Sequence, residues 1–361
     1  MFLTLVTGFP GFIGRRLVRE LLDAGADARV VAVVEPRMLD AAAEVAAEIG
    51  GDRIELLGGD IRERGLGLES AQLTRLRAET TKVFHLAAIY NLAVPKELAQ
   101  AVNVEGTGNV LEVCEGMEKL ERLAYISTAY VAGKRTGIVY EHELSLGQDF
   151  KNHYESTKFQ AEVWVRQRMG RVPTTILRPA IVVGDSRTGE TEKFDGPYYI
   201  LRTISRMDSM GMSAAQFGRS DASFNVVPVD YVVKAIAAAA GAESTLGETL
   251  HLVDPDPLSS LELFKLLSQL YAGRELRGRV PAGLVSNALR IGKVRDAFSG
   301  TPPEAVEYLN HPVTYDTRRA VDLLGPLGLA PPPFPEYAET IVDFFRAHED
   351  DPKYAPPSTD L

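Results

Sequence analysis

Cysteine is nearly missing from this chain. Cys114 is the only one in 361 residues, which excludes a disulfide framework and a metal centre built on thiolates. Histidine offers no substitute: His85, His142, His153, His251, His311 and His348 are scattered without ligand spacing, so no metal site is expected. Positive charge is also in short supply, with 39 Lys and Arg against 49 Asp and Glu and a net charge of −10. No basic cluster or basic amphipathic helix interrupts that balance, which argues against nucleic acid or an anionic membrane surface as partner. No apolar run approaches the roughly 20 residues of a membrane-crossing helix, and the stretch from Ala235 to Ala240 is short and sits in a helical context. The first apolar run begins at Phe2 and leaves no room for a signal peptide, so a cytoplasmic location is expected. Internal repeats are absent, and low complexity is confined to the tail from Glu349 onward, which is expected to fray.

What the chain does have is an ordinary globular composition, 45% apolar and 24% charged, with length enough for a full core. It also has a glycine-punctuated turn, Thr7-Gly8-Phe9-Pro10-Gly11-Phe12-Ile13-Gly14, between the apolar run Phe2 to Val6 and the amphipathic run Ile13 to Leu22. A strand, a tight turn and a helix in that order aim free backbone N–H groups and the positive helix end at a phosphate. Gly8 permits the turn, Gly11 lets a pyrophosphate approach the backbone, and Gly14 lets helix and strand pack closely. Far downstream, Tyr154-Glu155-Ser156-Thr157-Lys158 puts a phenol and an ammonium four residues apart on one helix face. A phenol needs a neighbouring cation to lower its pKa before it can exchange a proton near neutral pH. A nucleotide cradle with an activated tyrosine suggests hydride transfer at a carbonyl.

Strand-like and helix-like segments alternate through the first half. Strands are expected over Arg29 to Val34, Arg53 to Leu57, Lys82 to Leu86, Arg122 to Ile126 and Pro173 to Leu177. Helices are expected over Met38 to Ile49, Lys96 to Cys114 and Tyr154 to Met169. The alternation implies an α/β fold, a Rossmann-type doubly wound parallel sheet with helices on both faces. Beyond about Val183 it breaks into loops, 184–196 and 213–223, before helices resume at Asp230 to Ala240, Ser260 to Tyr271 and Tyr337 to Ala347. The expected division is a dinucleotide-binding unit over residues 1–180 and a smaller C-terminal substrate lobe over 181–361, with some segments returning to the Rossmann core.

Ser127-Thr128 follows the fifth strand, where a ligand of an open α/β sheet sits. Hydroxyls there can donate to a carbonyl oxygen that turns negative during hydride attack, although Ser and Thr also end strands simply to bond backbone. Together with Gly59-Asp60-Ile61, Leu66-Gly67-Leu68, Phe84-His85-Leu86-Ala87-Ala88, Asn103-Val104-Glu105-Gly106-Thr107, Leu177-Arg178-Pro179 and Val226-Val227-Pro228-Val229-Asp230-Tyr231-Val232, these motifs resemble the extended short-chain dehydrogenase/reductase family. The Leu-Gly-Leu segment and the Ser127-Thr128-Ala129-Tyr130-Val131 run resemble the branch of fatty acyl-CoA reductases and thioester reductase domains of peptide and polyketide synthetases.

The resemblance implies that Thr128 and Tyr154 polarise the substrate oxygen, with Tyr154 the proton donor in reduction, and that Lys158 holds the nicotinamide ribose. It implies an adenine contact at Asp60 beside Ile61, space for the dinucleotide at Ala87 and Ala88, support by hydrogen bonding from Asn103, and nicotinamide contacts near Pro179. Asn103 can equally cap a turn, His85 reads as a packed histidine, Arg178 as a loop-shaping residue, and Trp164 as core. Cofactor choice divides the signals. Glu35 after the second strand suits the ribose 2′-OH of NAD, whereas Arg37 and Arg15 can clamp the 2′-phosphate of NADP, which the resemblance favours. The balance falls narrowly on NADP.

The expected function is therefore an NAD(P)H-dependent oxidoreductase that reduces an acyl thioester, offered by coenzyme A or a carrier protein, or the derived aldehyde. Its rivals are a nucleotide-sugar epimerase or dehydratase, or a hydroxysteroid-type dehydrogenase of the same fold. A dehydratase would need an extra acid beside Thr128, where Ala129 stands. A catalytically silent dinucleotide sensor is the rival of another class, and it need not keep Thr128, Tyr154 and Lys158.

Overall fold

The computed structural model describes residues 3–90, 94–292 and 305–354. Phe2, where the sequence begins the first strand, and residues 355–361 of the tail lie outside the described residues.

Short β-branched and leucine-rich runs build the central sheet: β1 (Leu3–Thr7), β2 (Arg29–Val34), β3 (Ile54–Gly58), β4 (Thr80–His85), β5 (Arg122–Ile126), β6 (Thr174–Pro179) and β7 (Thr249–Leu252). All pairings are parallel, in the order β7-β6-β5-β4-β1-β2-β3. Helices cover both faces, which is why β5 and β6 are buried at every position and read as continuous rather than alternating apolar runs. One apolar cluster fills the side of the helix Phe12–Asp23 and another the side of Val110, Tyr125 and Val165. The sheet reverses its winding between β1 and β4. The carboxyl ends of those two strands flank the crevice in which such folds bind ligands.

Three details depart from expectation. Lys96 to Cys114 is not one uniform α-helix, because Gln100–Glu105 forms a π-helical turn between Lys96–Ala99 and Gly106–Glu115. That turn carries Asn103, whose side chain is occupied with the backbone of Ile89. The seventh strand, four residues long, comes from the C-terminal half, entered through Val226–Pro228 paired with Ile181–Val183 and the helix Val229–Gly241. The tail from Glu349 is ordered as far as it is described. Pro352–Tyr354 makes a helical turn, and the Tyr354 ring stacks on Phe194 at 4.9 Å between centroids. Burying that ring, together with bonds from Phe194 N (3.2 Å) and Arg202 (3.0 Å) to its carbonyl, docks the segment.

A second core forms in the C-terminal half around Phe194, Tyr198, Phe264, Phe334 and Phe345, whereas Val313–Tyr315, paired with Gly137–Val139, and the helix Arg318–Leu324 pack into the cluster on the side of the helix Phe12–Asp23. Within 213–223, Gln216–Phe217 is a short strand paired with Arg279–Val280. Among the described residues no helix is long and apolar enough to cross a membrane.

Candidate active site

The carboxyl end of β1 leads into the glycine turn. Gly8 has φ +91°, and a Cβ there would lie 2.8 Å from Ala87 N; a Cβ on Gly14 would lie 2.3 Å from the Gly8 carbonyl oxygen. The two glycines therefore permit a contact between turn, helix and β4 that side chains would break. The helix Phe12–Asp23 starts from Gly11 with no side-chain cap, so its first-turn N–H groups have no hydroxyl or carboxylate competing with an anion. Thr7 lies behind the turn rather than in the crevice. Its hydroxyl accepts from Ala87 N at 3.3 Å and bonds His85 Nδ1 at 2.7 Å. His85 Nε2 bonds Thr107 at 3.0 Å, and burial pulls its pKa down to about 3, so it stays neutral and acts as packing.

Asn103 also sits one layer back. Its side chain accepts from Ile89 N at 2.8 Å, donates to Ile89 O at 3.3 Å and donates to Thr157 at 3.0 Å. It thereby ties the loop after β4 to the helix His153–Arg168, which carries Tyr154. That helix begins at Asn152, whose carboxamide oxygen caps Glu155 N at 3.0 Å.

At the end of β5 the two hydroxyls part company. Thr128 hydrogen-bonds the Tyr154 side chain, accepts from Tyr130 N at 3.3 Å and approaches Pro179 O at 3.5 Å. Ser127 lines the cavity beside it, as expected, but its hydroxyl donates backwards to Glu162 at 2.6 Å. Successive strand residues face opposite sides, and a buried carboxylate claims the one that turns inward.

The electrostatics of Tyr154 also differ from expectation. Burial raises its pKa above the ordinary phenol value, and the Thr128 bond offsets only part of that. Lys158 Nζ donates to Ile126 O at 2.8 Å and lies 4.6 Å from the centre of the Tyr125 ring. Burial pulls its own pKa down to about 7 against the opposing pull of Glu162. Tyr154 is thus held as a protonated phenol.

At the opposite end, Arg37 donates to Glu35 at 2.8 and 2.5 Å. Arg62, overlooked in the sequence, donates to the Asp60 carboxylate at 2.6 to 3.0 Å and stands 3.8 Å from Glu35. The Arg62 bond holds Asp60 below the usual carboxylate range. A guanidinium two residues after the Gly-Asp step was the available signal. Arg15, expected in the phosphate clamp, instead pairs with Glu190 at 3.5 Å and does not line the crevice.

One cavity of about 860 Å³ joins these parts. Gly8 to Gly14, Glu35, Arg37, Asp60, Ile61, Ala87, Ala88, Thr128, Tyr154, Lys158 and Pro179 line it, with Thr7 and Asn103 behind its wall. Its lining extends to residues of the second core, with Ile181, Ile200, Phe217, Phe224, Val306 and Leu309 as apolar wall and Glu192, Lys193 and Asp195 as charged members. Of the aromatic run after Pro197, Tyr199 and Ile200 face the cavity, whereas the Tyr198 hydroxyl accepts from Gly184 N at 3.2 Å inside the core. Tyr90 meets Tyr154 edge to face at 5.1 Å, and Lys193 stands 4.2 Å from its ring centre.

Known proteins supply the context. The profile of the family described as Male sterility protein matches residues 6–236. The chain is 29% identical over 281 residues to the non-canonical nonribosomal peptide synthetase FrzA of Cladobotryum sp, covering 72% of this chain and 26% of that one. It is 25% identical over 276 residues to the fatty acyl-CoA reductase wat of Drosophila melanogaster, covering 65% and 53% respectively. Among solved structures, the terminal R domain from the myxalamid PKS-NRPS biosynthetic pathway superposes with a TM-score of 0.81 at 26% identity. That superposition covers 99% of this chain and 92% of the other. The chain thus spans about a quarter of the synthetase and about half of the reductase.

Proposed function

We propose, from the premise that this chain belongs to the Male sterility protein family of extended short-chain dehydrogenase/reductases, that it is an NAD(P)H-dependent reductase of acyl thioesters or the derived aldehydes. The observation that carries the reading is the continuity of the cavity. One lining includes the glycine turn, the hydrogen-bonded Thr128 and Tyr154, and an apolar wall of Ile181, Ile200, Phe217, Phe224, Val306 and Leu309. The residues fit a nicotinamide dinucleotide. Glycine-permitted backbone and an uncapped helix end suit its pyrophosphate, and Asp60, Ile61, Ala87 and Ala88 suit its adenosine half. Lys158 and Pro179 flank the reaction end.

When bound, the reduced cofactor supplies a hydride to the carbonyl carbon. Thr128 and Tyr154 together present two hydroxyls to the carbonyl oxygen and stabilise the negative charge that develops on it. Tyr154, kept protonated by burial, gives its proton to that oxygen. Lys158 lies one helical turn along and gives its hydrogen bond to the Ile126 carbonyl. A thioester reduced at its carbonyl carbon expels a thiol and leaves an aldehyde.

Support for the substrate class comes from the six apolar side chains, Ile181, Ile200, Phe217, Phe224, Val306 and Leu309, that line the cavity alongside the charged Glu192, Lys193 and Asp195, and from relatives named as fatty acyl-CoA reductase and nonribosomal peptide synthetase. Coenzyme A or a carrier protein would deliver the acyl group. The division near residue 180 into a dinucleotide unit and a substrate lobe, with 226–252 rejoining the sheet, belongs to the same proposal, as does a cytoplasmic setting. For the cofactor, Arg37 and Arg62 at the ribose end favour NADP. The test is oxidation of NADPH and NADH against a panel of acyl thioesters, aldehydes and sugar nucleotides. Turnover confined to sugar nucleotides rejects the reading, and dinucleotide binding without any turnover makes the chain a sensor.

A further inference from the structure

Behind the two hydroxyls sits a buried ionic group that the reaction as described does not use. Glu162 and Arg178 are both fully shielded, with Nη2 to Oε1 at 2.6 Å and Nε to Oε2 at 3.0 Å. Oε2 also accepts from Ser127 at 2.6 Å, and Oε1 from Arg166 Nε at 3.0 Å. Arg178 completes its bonds with Glu143 O at 2.8 Å, Glu141 O at 3.3 Å and His251 Nε2 at 3.2 Å. A buried ion pair is a weak device for stability alone, because desolvation offsets the attraction.

The residues it grips explain its position better. Ser127 immediately precedes Thr128, and Arg178 immediately precedes Pro179, whose carbonyl Thr128 approaches at 3.5 Å. Glu162 lies one helical turn after Lys158, so the two share a helix face. Lys158 in turn holds the carbonyl of Ile126, the residue before Ser127, at 2.8 Å. The ends of β5 and β6 and the helix bearing Tyr154 are therefore joined through one carboxylate.

We propose that Glu162 is a positioning residue for the reduction, acting through Ser127 and Arg178 to hold the ends of β5 and β6 so that the Thr128 hydroxyl stays on Tyr154. The inference rests on the reading of Thr128 and Tyr154 as the pair that binds the substrate oxygen. The Ser127 hydroxyl is committed to Glu162 at 2.6 Å and anchors the strand end. Geometry at the reacting centre is steep in its effect, since a displacement of about 1 Å can cost on the order of a hundredfold in rate.

Ser127→Ala removes the anchor and leaves the Glu162–Arg178 contact intact, whereas Glu162→Gln keeps the shape and removes the charge. The measurements are kcat and KM, the isotope effect on kcat with deuterated dinucleotide, dinucleotide affinity by fluorescence titration, and melting temperature. Ser127→Ala is expected to lower kcat about tenfold or more and to enlarge the isotope effect, with dinucleotide affinity within about twofold of the parent. A fall in kcat of less than about threefold, or an unchanged isotope effect, overturns the proposal and leaves the pair a structural feature. Should Glu162→Gln fail to fold, Ser127→Ala decides alone. Tyr154→Phe assayed alongside keeps the two ideas apart. Full turnover in Tyr154→Phe defeats the functional reading, whereas an inert Tyr154→Phe beside an unimpaired Ser127→Ala defeats only this one.

Discussion

Replacing Glu35 by glutamine tests how the protein chooses between two dinucleotides. Glu35, Arg37, Asp60 and Arg62 form a group whose formal charges cancel, with Arg37 on Glu35 at 2.5 to 2.8 Å and Arg62 on Asp60 at 2.6 to 3.0 Å. A 2′-phosphate brings nearly two negative charges. Against it the parent offers two guanidinium groups that are each shared with a carboxylate. Glu35→Gln removes one negative charge and releases the Arg37 fork for bidentate contact. The Glu35 side chain is 36% exposed, so a water-like dielectric applies. There a unit charge about 4 Å from another is worth about 1 kcal/mol. For a near-dianion, reduced by salt screening, the gain for NADP is about 1–2 kcal/mol, or about five- to thirtyfold in relative affinity.

Arg62→Gln carries the opposite sign. It leaves Asp60 and Glu35 with a single guanidinium between them, so preference should move toward NAD by a similar factor. Both shifts should shrink as salt is raised, because the charges are partly exposed. Fluorescence titration of parent and variants with NADP and NAD, at low and high ionic strength, gives the ratio directly. Ratios that stay within about twofold of the parent in both variants refute the assignment of this cluster to the 2′ position.

Four further outcomes are expected. Tyr154→Phe should lose turnover by about a hundredfold or more while its dinucleotide affinity, read by titration, stays close to the parent; activity within a small factor of the parent contradicts the proton-donor role. Because burial pulls Lys158 down to about 7, between that value and about pH 10 the unfolded chain holds a proton that the folded chain has released. Stability should therefore rise with pH across this window in the parent and less in Lys158→Met, and unfolding free energies that run parallel in the two proteins refute it. Glu141 accepts backbone N–H bonds from His251, Arg319 and Ala320 while burial pushes its pKa up to about 7. Glu141→Gln should cost about 1–3 kcal/mol in denaturant unfolding, since an amide NH₂ would face a backbone donor, and an unchanged midpoint refutes it. Gly14→Ala places a carbon 2.3 Å from the Gly8 carbonyl oxygen, so dinucleotide affinity should collapse even where the variant folds, and retained affinity refutes the close packing of the turn.

The parts of the fold that sequence makes legible are those set by local pattern. The apolar runs of β1 to β6 and the glycine turn have short-range signatures, because a buried parallel strand must be apolar throughout and a tight turn must have glycine. β7 lacks such a signature. Thr249–Leu252 is four residues long, and it becomes a strand only because β6 offers an unpaired edge beside it. Tyr354 is legible as an aromatic residue but not as a dock, since Phe194 lies 160 positions earlier in the chain.

The candidate site divides along the same line. Spacing marks Tyr154 and Lys158 as neighbours, but it cannot say which way the ammonium turns, because a flexible four-carbon stem leaves that to the tertiary structure, which sends it to the Ile126 carbonyl. Likewise Ser127-Thr128 reads as a hydroxyl pair, and only the carboxylate waiting behind β5 separates the hydroxyl held by Glu162 from the one beside Tyr154. At the other end Glu35 looks like a repulsive charge when taken with its position after β2 alone. Its effect on a phosphate depends on two guanidinium groups, one two residues away and the other 27 residues on at the end of β3. A single acidic residue after the second strand is therefore insufficient to assign NAD in this chain, because a 2′-phosphate placed there would meet the sum of four side chains brought together by two adjacent strands.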